Sequence, residues 1–359
     1  MSEEILHIDH ERRRGRGATS NASGRYESLA RVEIDDGWGQ GHGEAFRTDV
    51  RIERPRSAIT RNSSPDVPFN RSLNPYRGCE HGCIYCFARP SHAWLGMSPG
   101  LDFETRLVAR PGIGSVLARE FARRRYQPET IAIGTNTDPY QPVEAKMKVM
   151  REILEVLRAH RHPVGIVTKG TLIERDLDIL SDLAKDGLVH VGVSVTSLDR
   201  TLSRRMEPRA PAPARRIATI RALAQAGVPV RVMAAPMIPA LTDPELEAIL
   251  KAGCEAGAQA ASWIMLRLPL EVSPLFRDWL EAHYPGRASR VMGHVRDMHG
   301  GQDYDPRWGH RMRGEGAYAE VVAKRFEIAA KRLGFRDLPT LRTDLFEVPR
   351  KPSAQLELF

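Results

Sequence analysis

Five short apolar or β-branched runs punctuate the middle of the chain: TIAIG (130–134), VGIVT (164–168), VHVGVSV (189–195), VPVRVM (228–233) and SWIMLRL (262–268). Each but the last is followed by a stretch of helical periodicity. In KMKVMREILEVLRAH, the apolar residues Met147, Met150, Ile153, Leu154 and Leu157 recur at the spacing of one helix face. Asp243-Pro244 predicts an N-cap and a first-turn proline opening the helix PELEAILKAGCEAG. Gly187 and Gly227 predict helix ends just ahead of the next strands. Such alternation predicts parallel βα units, and RSLNPYR (71–77), read as one more strand, brings them to six. An α/β fold of six units is either an open doubly wound sheet or an incomplete barrel. In both, chemistry gathers at the C-terminal ends of the strands.

The flanks break this rhythm. Residues 1–60 are polar, rich in Arg and Gly, and read as a partly ordered N-terminal extension to a core at 61–285. From about 286 the chain is Gly-, Arg- and His-rich and without strands, and a helix, AYAEVVAKRFEIAAKRLGF, follows. Residues 286–350 are read as a C-terminal appendage, and 351–359 (KPSAQLELF) as a flexible tail.

Composition narrows the class. Of 359 residues, 42% are hydrophobic and 27% charged, and no apolar run approaches a membrane span. The start, MSEEILHIDHERRRGRG, lacks the apolar stretch of a secretory signal, so a cytoplasmic protein without a membrane partner is expected. A net charge of +8 permits contact with a polyanion. Basic clusters at Arg12–Arg14, Arg123–Arg125, and Arg204, Arg205, Arg215 and Arg216 serve that contact or are simply solvated helix faces.

Three of the four cysteines fall in CEHGCIYC (79–86): Cys79, Cys83 and Cys86. A polar, Gly-containing loop after Asn74-Pro75 is a poor place for buried hydrophobes. Zinc would need a fourth ligand, with His81 or His92 as candidates. A [4Fe-4S] cluster with three thiolates would leave one iron for a non-protein ligand. Cys254, inside the helical KAGCEAGA, reads as a packed bystander.

The loop C-x3-C-x2-C, with the aromatic Tyr85 directly before its last cysteine, resembles the cluster loop of the radical SAM superfamily. With six βα units downstream, the resemblance implies a partial (incomplete) parallel β/α barrel with N- and C-terminal extensions. It implies a [4Fe-4S] cluster on Cys79, Cys83 and Cys86, and S-adenosyl-L-methionine on the fourth iron. An electron from an external donor would cleave that cofactor to a 5′-deoxyadenosyl radical. Tyr85 is counted with the cofactor-binding residues.

GTNTDPYQPVE (134–144) follows the TIAIG strand. It is partly a proline-rich turn, yet Thr135, Asn136, Thr137 and Asp138 put four hydrogen-bonding side chains at one strand end, where the resemblance implies the methionyl ammonium. Glu144 joins them or favours a helix N-terminus. Lys169 in TKG suits the cofactor carboxylate, and Arg209 in EPRAPAP is a second clamp. Ser194 and Thr196, on one side of a strand, suit a ribose.

Across residues 50–335 the chain resembles a narrower group, similar to spore photoproduct lyase and often labelled DNA repair photolyases. Two departures stand out. Gly134-Thr135-Asn136 occupies the place of that lyase's hydrogen-donating cysteine, and Phe87 the place of a tyrosine in its radical relay. The C-terminal Gln355, Leu356, Glu357, Leu358 and Phe359 resemble the peptides that dock bacterial repair enzymes on the DNA sliding clamp, unless they are merely a frayed end. The expectation is a DNA-acting radical enzyme. Radical modification of RNA or a small molecule, and a non-enzymatic zinc-stabilised nucleic-acid-binding protein, are the alternatives.

Overall fold

The computed structural model describes residue 8, residues 13–27 and residues 45–349. Its ten strands are β1 (Asp49–Ile52), β2 (Thr60–Arg61), β3 (Arg71–Leu73), β4 (Tyr76–Arg77), β5 (Arg106–Ala109), β6 (Ile131–Ile133), β7 (Val164–Thr168), β8 (Val189–Ser194), β9 (Val230–Met237) and β10 (Ala260–Met265). Seven of them form one sheet in the order β10-β9-β8-β7-β6-β3-β2. β3 and β6 to β10 pair in parallel, and β2 is antiparallel at the edge.

The parallel strands follow one another in space as they do in sequence. Right-handed crossovers then carry the connecting helices to one face of the sheet. A doubly wound sheet would need the order to reverse, and it does not reverse here. The sheet therefore curls into an open, partial barrel with β2 and β10 at its edges. Alternate strand residues point to one face, and those packed into the core are apolar: Ile131 and Ile133 of β6, Val164 and Ile166 of β7 and Val191 of β8 are all fully buried.

The helix Val149–Ala159 turns Met150, Ile153, Leu154 and Leu157 onto this core, with no side-chain exposure. Each such side chain contributes about 1.5–3 kcal/mol by burial. Arg151 and Glu155 pair at 3.1 Å on its outer face. Gly187 and Gly227 do end their helices at positive φ (+69° and +78°).

Three expectations change. RSLNPYR is two strands in two sheets, because Pro75 has no N–H to continue a ladder; β4 joins β5 and β1 in a small separate sheet. Asp243 does not cap the helix Leu246–Glu255. Its carboxylate instead accepts hydrogen bonds from Tyr318 (3.0 Å) and Arg325 (3.5 Å) of the C-terminal helix Gly316–Arg332. The last strand begins at Ala260 and ends at Met265, and its register shifts after Trp263. The shift falls opposite Pro236 of β9, another residue with no N–H to offer.

A second apolar cluster lies outside the main core. The helices Val272–His283 and Pro285–Asp297 pack Phe276, Trp279, Leu280, Val291 and Val295 against Ile84, Tyr85, Leu202 and Met206. The cysteine loop thus has its own foundation. No helix among the described residues is long and apolar enough to cross a membrane.

Candidate active site

The loop that carries the three thiols is fastened through its backbone. Cys79 N–H donates to the Phe103 carbonyl (2.9 Å) and Ile84 N–H to that of Met206 (3.0 Å). Gln141 accepts from Glu80 N–H (2.8 Å) and donates to the Gly78 carbonyl (3.1 Å). Arg89, fully buried, donates to the Cys83 carbonyl (3.0 Å) and pairs with Glu104 (2.5 Å). Glu104 also takes the amides of Gly17 (2.8 Å) and Ala18 (2.9 Å), which seats the N-terminal segment on the loop. Gly82 sits at φ +66°, and a Cβ there would stand 2.6 Å from Glu104 Oε2. Only glycine fits this turn.

With the backbone committed outward, the thiols line a cleft of about 100 Å³ at the C-terminal ends of the strands. None is in a disulfide. Burial raises all three pKa values, that of Cys83 to about 12. As thiolates they need a compensating cation, as metal ligands do.

The opposite wall is built from strand ends: Gly134, Thr135 and Asn136 after β6, Val167 to Lys169 at β7, and Ser194 closing β8. Phe87 and His81 also border the cleft. Gly134 turns the chain at φ +88°, where a Cβ would lie 1.9 Å from the Val167 carbonyl oxygen.

Within this motif the polar side chains divide. Thr137 is buried and donates to the Tyr76 carbonyl (3.0 Å). Asp138 accepts from Thr168 Oγ1 (2.6 Å), Lys169 N–H (2.7 Å) and Tyr140 N–H (2.9 Å), with His81 Nδ1 at 3.4 Å. Burial pushes this carboxyl up, but His81 and the donated hydrogen bonds outweigh it, so it stays ionised well below the usual range. Among the described residues, Thr135 and Asn136 make no side-chain hydrogen bond and remain open to the cleft. Glu144 settles on the second of its two readings: it accepts from Met150 N–H (3.1 Å), Tyr76 and Arg175 (2.7 Å) at the start of the helix Val149–Ala159.

Lys169 Nζ lies 3.4 Å from Ser194 Oγ and 5.7 Å from the centre of the Tyr85 ring. Burial works against its charge, but Cys83 and Glu207 raise its pKa above the ordinary lysine value. Beneath it is a network that sequence reading missed. Glu207 accepts from Tyr85, Thr196 (2.9 Å) and Arg216, and all four are buried. Burial raises the Glu207 pKa, yet Arg216 and Lys169 pull it to about 2. Tyr85 and Thr196 thus form a floor under the cleft rather than its wall. The ion-pair partners lie nine residues apart, a spacing with no helical or strand signature.

Arg209 is placed elsewhere. It pairs with Glu80 (3.2 Å) in a neighbouring cleft lined by Arg16, Arg47 and Thr48. His92 Nε2 is 2.9 Å from the Arg106 carbonyl. Cys254 donates to Leu333 O (3.5 Å) on the far helix layer. Among the described residues no three His, Cys, Asp or Glu groups lie close enough to share one metal ion. Three thiols facing one cleft suit a polynuclear cluster, in which each thiolate takes its own iron.

The Radical SAM superfamily model matches residues 73–252, half of the chain. The chain belongs to the radical SAM superfamily. Membership implies a [4Fe-4S] cluster and S-adenosylmethionine, and the donor set of the cleft fits both. The sequence is 40% identical over 226 residues to an uncharacterized protein of Mycobacterium tuberculosis, covering 62% of this radical SAM chain and 66% of that relative's length. An uncharacterized protein of Methanocaldococcus jannaschii is 25% identical over 213 residues, covering 59% of this chain and 76% of its own.

Among solved structures, spore photoproduct lyase complexed with dinucleoside spore photoproduct matches with a TM-score of 0.57 at 15% identity over 80% of both chains. A double mutant of the same lyase, with bound AdoMet and dinucleoside spore photoproduct, matches with a TM-score of 0.52 at 16% identity, over 79% of this chain and 78% of its own. These similarities establish a shared fold with the radical SAM partial-barrel enzymes.

Proposed function

We propose that this radical SAM protein acts on DNA, as a repair enzyme of lyase type built on the core at 61–285. The observation that carries the radical chemistry is the pairing of three unbridged thiols with open polar strand ends across one cleft. In this reading Cys79, Cys83 and Cys86 hold three irons. Asn136 and Thr135 receive the methionyl ammonium, Lys169 the carboxylate, and Ser194 the ribose. When bound, the reduced cluster and S-adenosylmethionine supply a 5′-deoxyadenosyl radical. The chain's own contribution is to hold the ends of the cofactor from β6, β7 and β8 and to shield the cleft from water with Tyr85 and the second apolar cluster.

DNA is supported by the fold shared with a lyase solved with a dinucleoside photoproduct and by the net charge of +8. The cleft contains no cysteine besides the three, so any hydrogen donor there is not a fourth thiol. The test is anaerobic incubation with dithionite and S-adenosylmethionine, reading 5′-deoxyadenosine with ultraviolet-damaged DNA, intact DNA, RNA or no addition. Damage-dependent turnover is expected. Equal yields in all arms would overturn the DNA assignment, and colourless protein carrying one zinc would overturn the radical reading too.

The clamp-like residues Gln355, Leu356, Leu358 and Phe359 lie outside the described residues. We assign them recruitment to the sliding clamp on the strength of their pattern alone. Titrating purified clamp against the full chain and a version ending at Lys351 checks this. Binding by the full chain only is expected; equal binding, or none by either, would reject it.

A further inference from the structure

Phe87 directly follows the last cysteine of the loop and borders the cleft, yet 44% of its surface is exposed. Arg267, just beyond β10, lies with its guanidinium carbon 4.7 Å from the ring centre. Among the described residues, no carboxylate is within ion-pair distance of it. The nearby Asp66 is committed to Arg311 and to the Gly309 amide (2.7 Å). Among the described residues Arg267 donates to Tyr304 (3.3 Å), and its buried Nε has no hydrogen-bond partner. An exposed ring with a guanidinium held against it, at the mouth of the cleft, presents a flat apolar face beside a cation.

We infer that Phe87 and Arg267 form a stacking subsite for a nucleobase at the mouth of the cysteine cleft. A base supplies a flat π-face for the ring and guanidinium. Such platforms tolerate any base, because all bases present a π-face. Tyr304 fixes the guanidinium and thereby gives the Arg- and His-rich stretch at 294–313 a part in binding. The inference rests on the DNA reading above and names the residues that would read that substrate.

The test uses full-length protein with its cluster reconstituted anaerobically. The probe is a single-stranded deoxyoligonucleotide carrying 2-aminopurine, whose fluorescence is quenched by stacking. Expected for Phe87→Ala is binding about 5- to 150-fold weaker, with quenching lost. Phe87→Trp should keep both. Arg267→Ala should weaken binding in the same direction, and Trp94→Ala, on the exposed surface (72%), should not. Iron content and substrate-independent cleavage of S-adenosylmethionine report on folding. If Phe87→Ala binds and quenches like the parent at equal iron content, the subsite is refuted while the DNA reading stands. If the parent itself binds no oligonucleotide, both fall.

Discussion

Thr135 and Asn136 face the cleft, whereas Thr137 and Asp138, next in the same motif, spend their side chains on Tyr76 and on Thr168 with the Lys169 amide. The density of polar groups was legible in the sequence. Which of them point outward was not, because partners some 30 to 60 residues distant decide it. For the same reason Arg209, a reasonable clamp by composition, ends beside Glu80 in another cleft. Lys169 is the residue on which the cofactor reading leans most. Replacing it with Met should weaken S-adenosylmethionine binding by roughly 10- to 100-fold, since hydrogen bonds to charged groups contribute about 1.5–3 kcal/mol. Calorimetric titration of the reconstituted protein measures this. Unchanged affinity would remove Lys169 from the site.

At the level of elements, strand and helix order was readable because the buried strands had to be apolar and the helices one-sided. Their ends were less so. Proline at 75 splits a strand, and Asp243 is drawn from capping by Tyr318 and Arg325, which are far off in sequence. Gly134 shows the same dependence. Its positive φ and the 1.9 Å approach of Val167 O to a built Cβ make Gly134→Ala costly, by about 2 kcal/mol or more. Chemical denaturation should show a lowered midpoint.

The connection into β7 carries a pH-dependent element as well. His162 is buried, stacked on Phe121 (ring centres 4.4 Å apart) and hydrogen-bonded to Tyr126 (2.7 Å). Burial lowers its pKa from 6.5 to about 3, against the pull of the Pro163 carbonyl. Below pH 6.5 the unfolded chain takes up a proton that the folded one refuses, so stability falls as pH drops from 6.5 towards 3. At pH 5 this single group costs about 2 kcal/mol relative to pH 7. The Tm of His162→Gln should fall less between those two pH values than that of the parent.

Over the whole molecule, the cysteine loop is a junction. It touches the N-terminal segment through Glu104, the barrel through Gln141, and the C-terminal helices through Ile84 and Tyr85. Metal bound there therefore ties three regions together and should stabilise the fold as a unit. Reconstituted protein is expected to melt at least about 5 °C above chelator-treated protein, by scanning calorimetry under argon. Equal midpoints would show that the loop is held by its hydrogen bonds alone.

The sequence by itself determined the six parallel units, the three-thiol loop and the family, because periodicity and close spacing are local properties that survive in one dimension. Only the tertiary structure decided that Thr135 and Asn136 are the members of their motif left open to the cleft, that Glu207 and Arg216 underlie Tyr85, and that Phe87 meets Arg267 at the cleft mouth. Those are contacts between distant segments. They are fixed by the order in which the strands pair and by where burial requires each charge to find its partner.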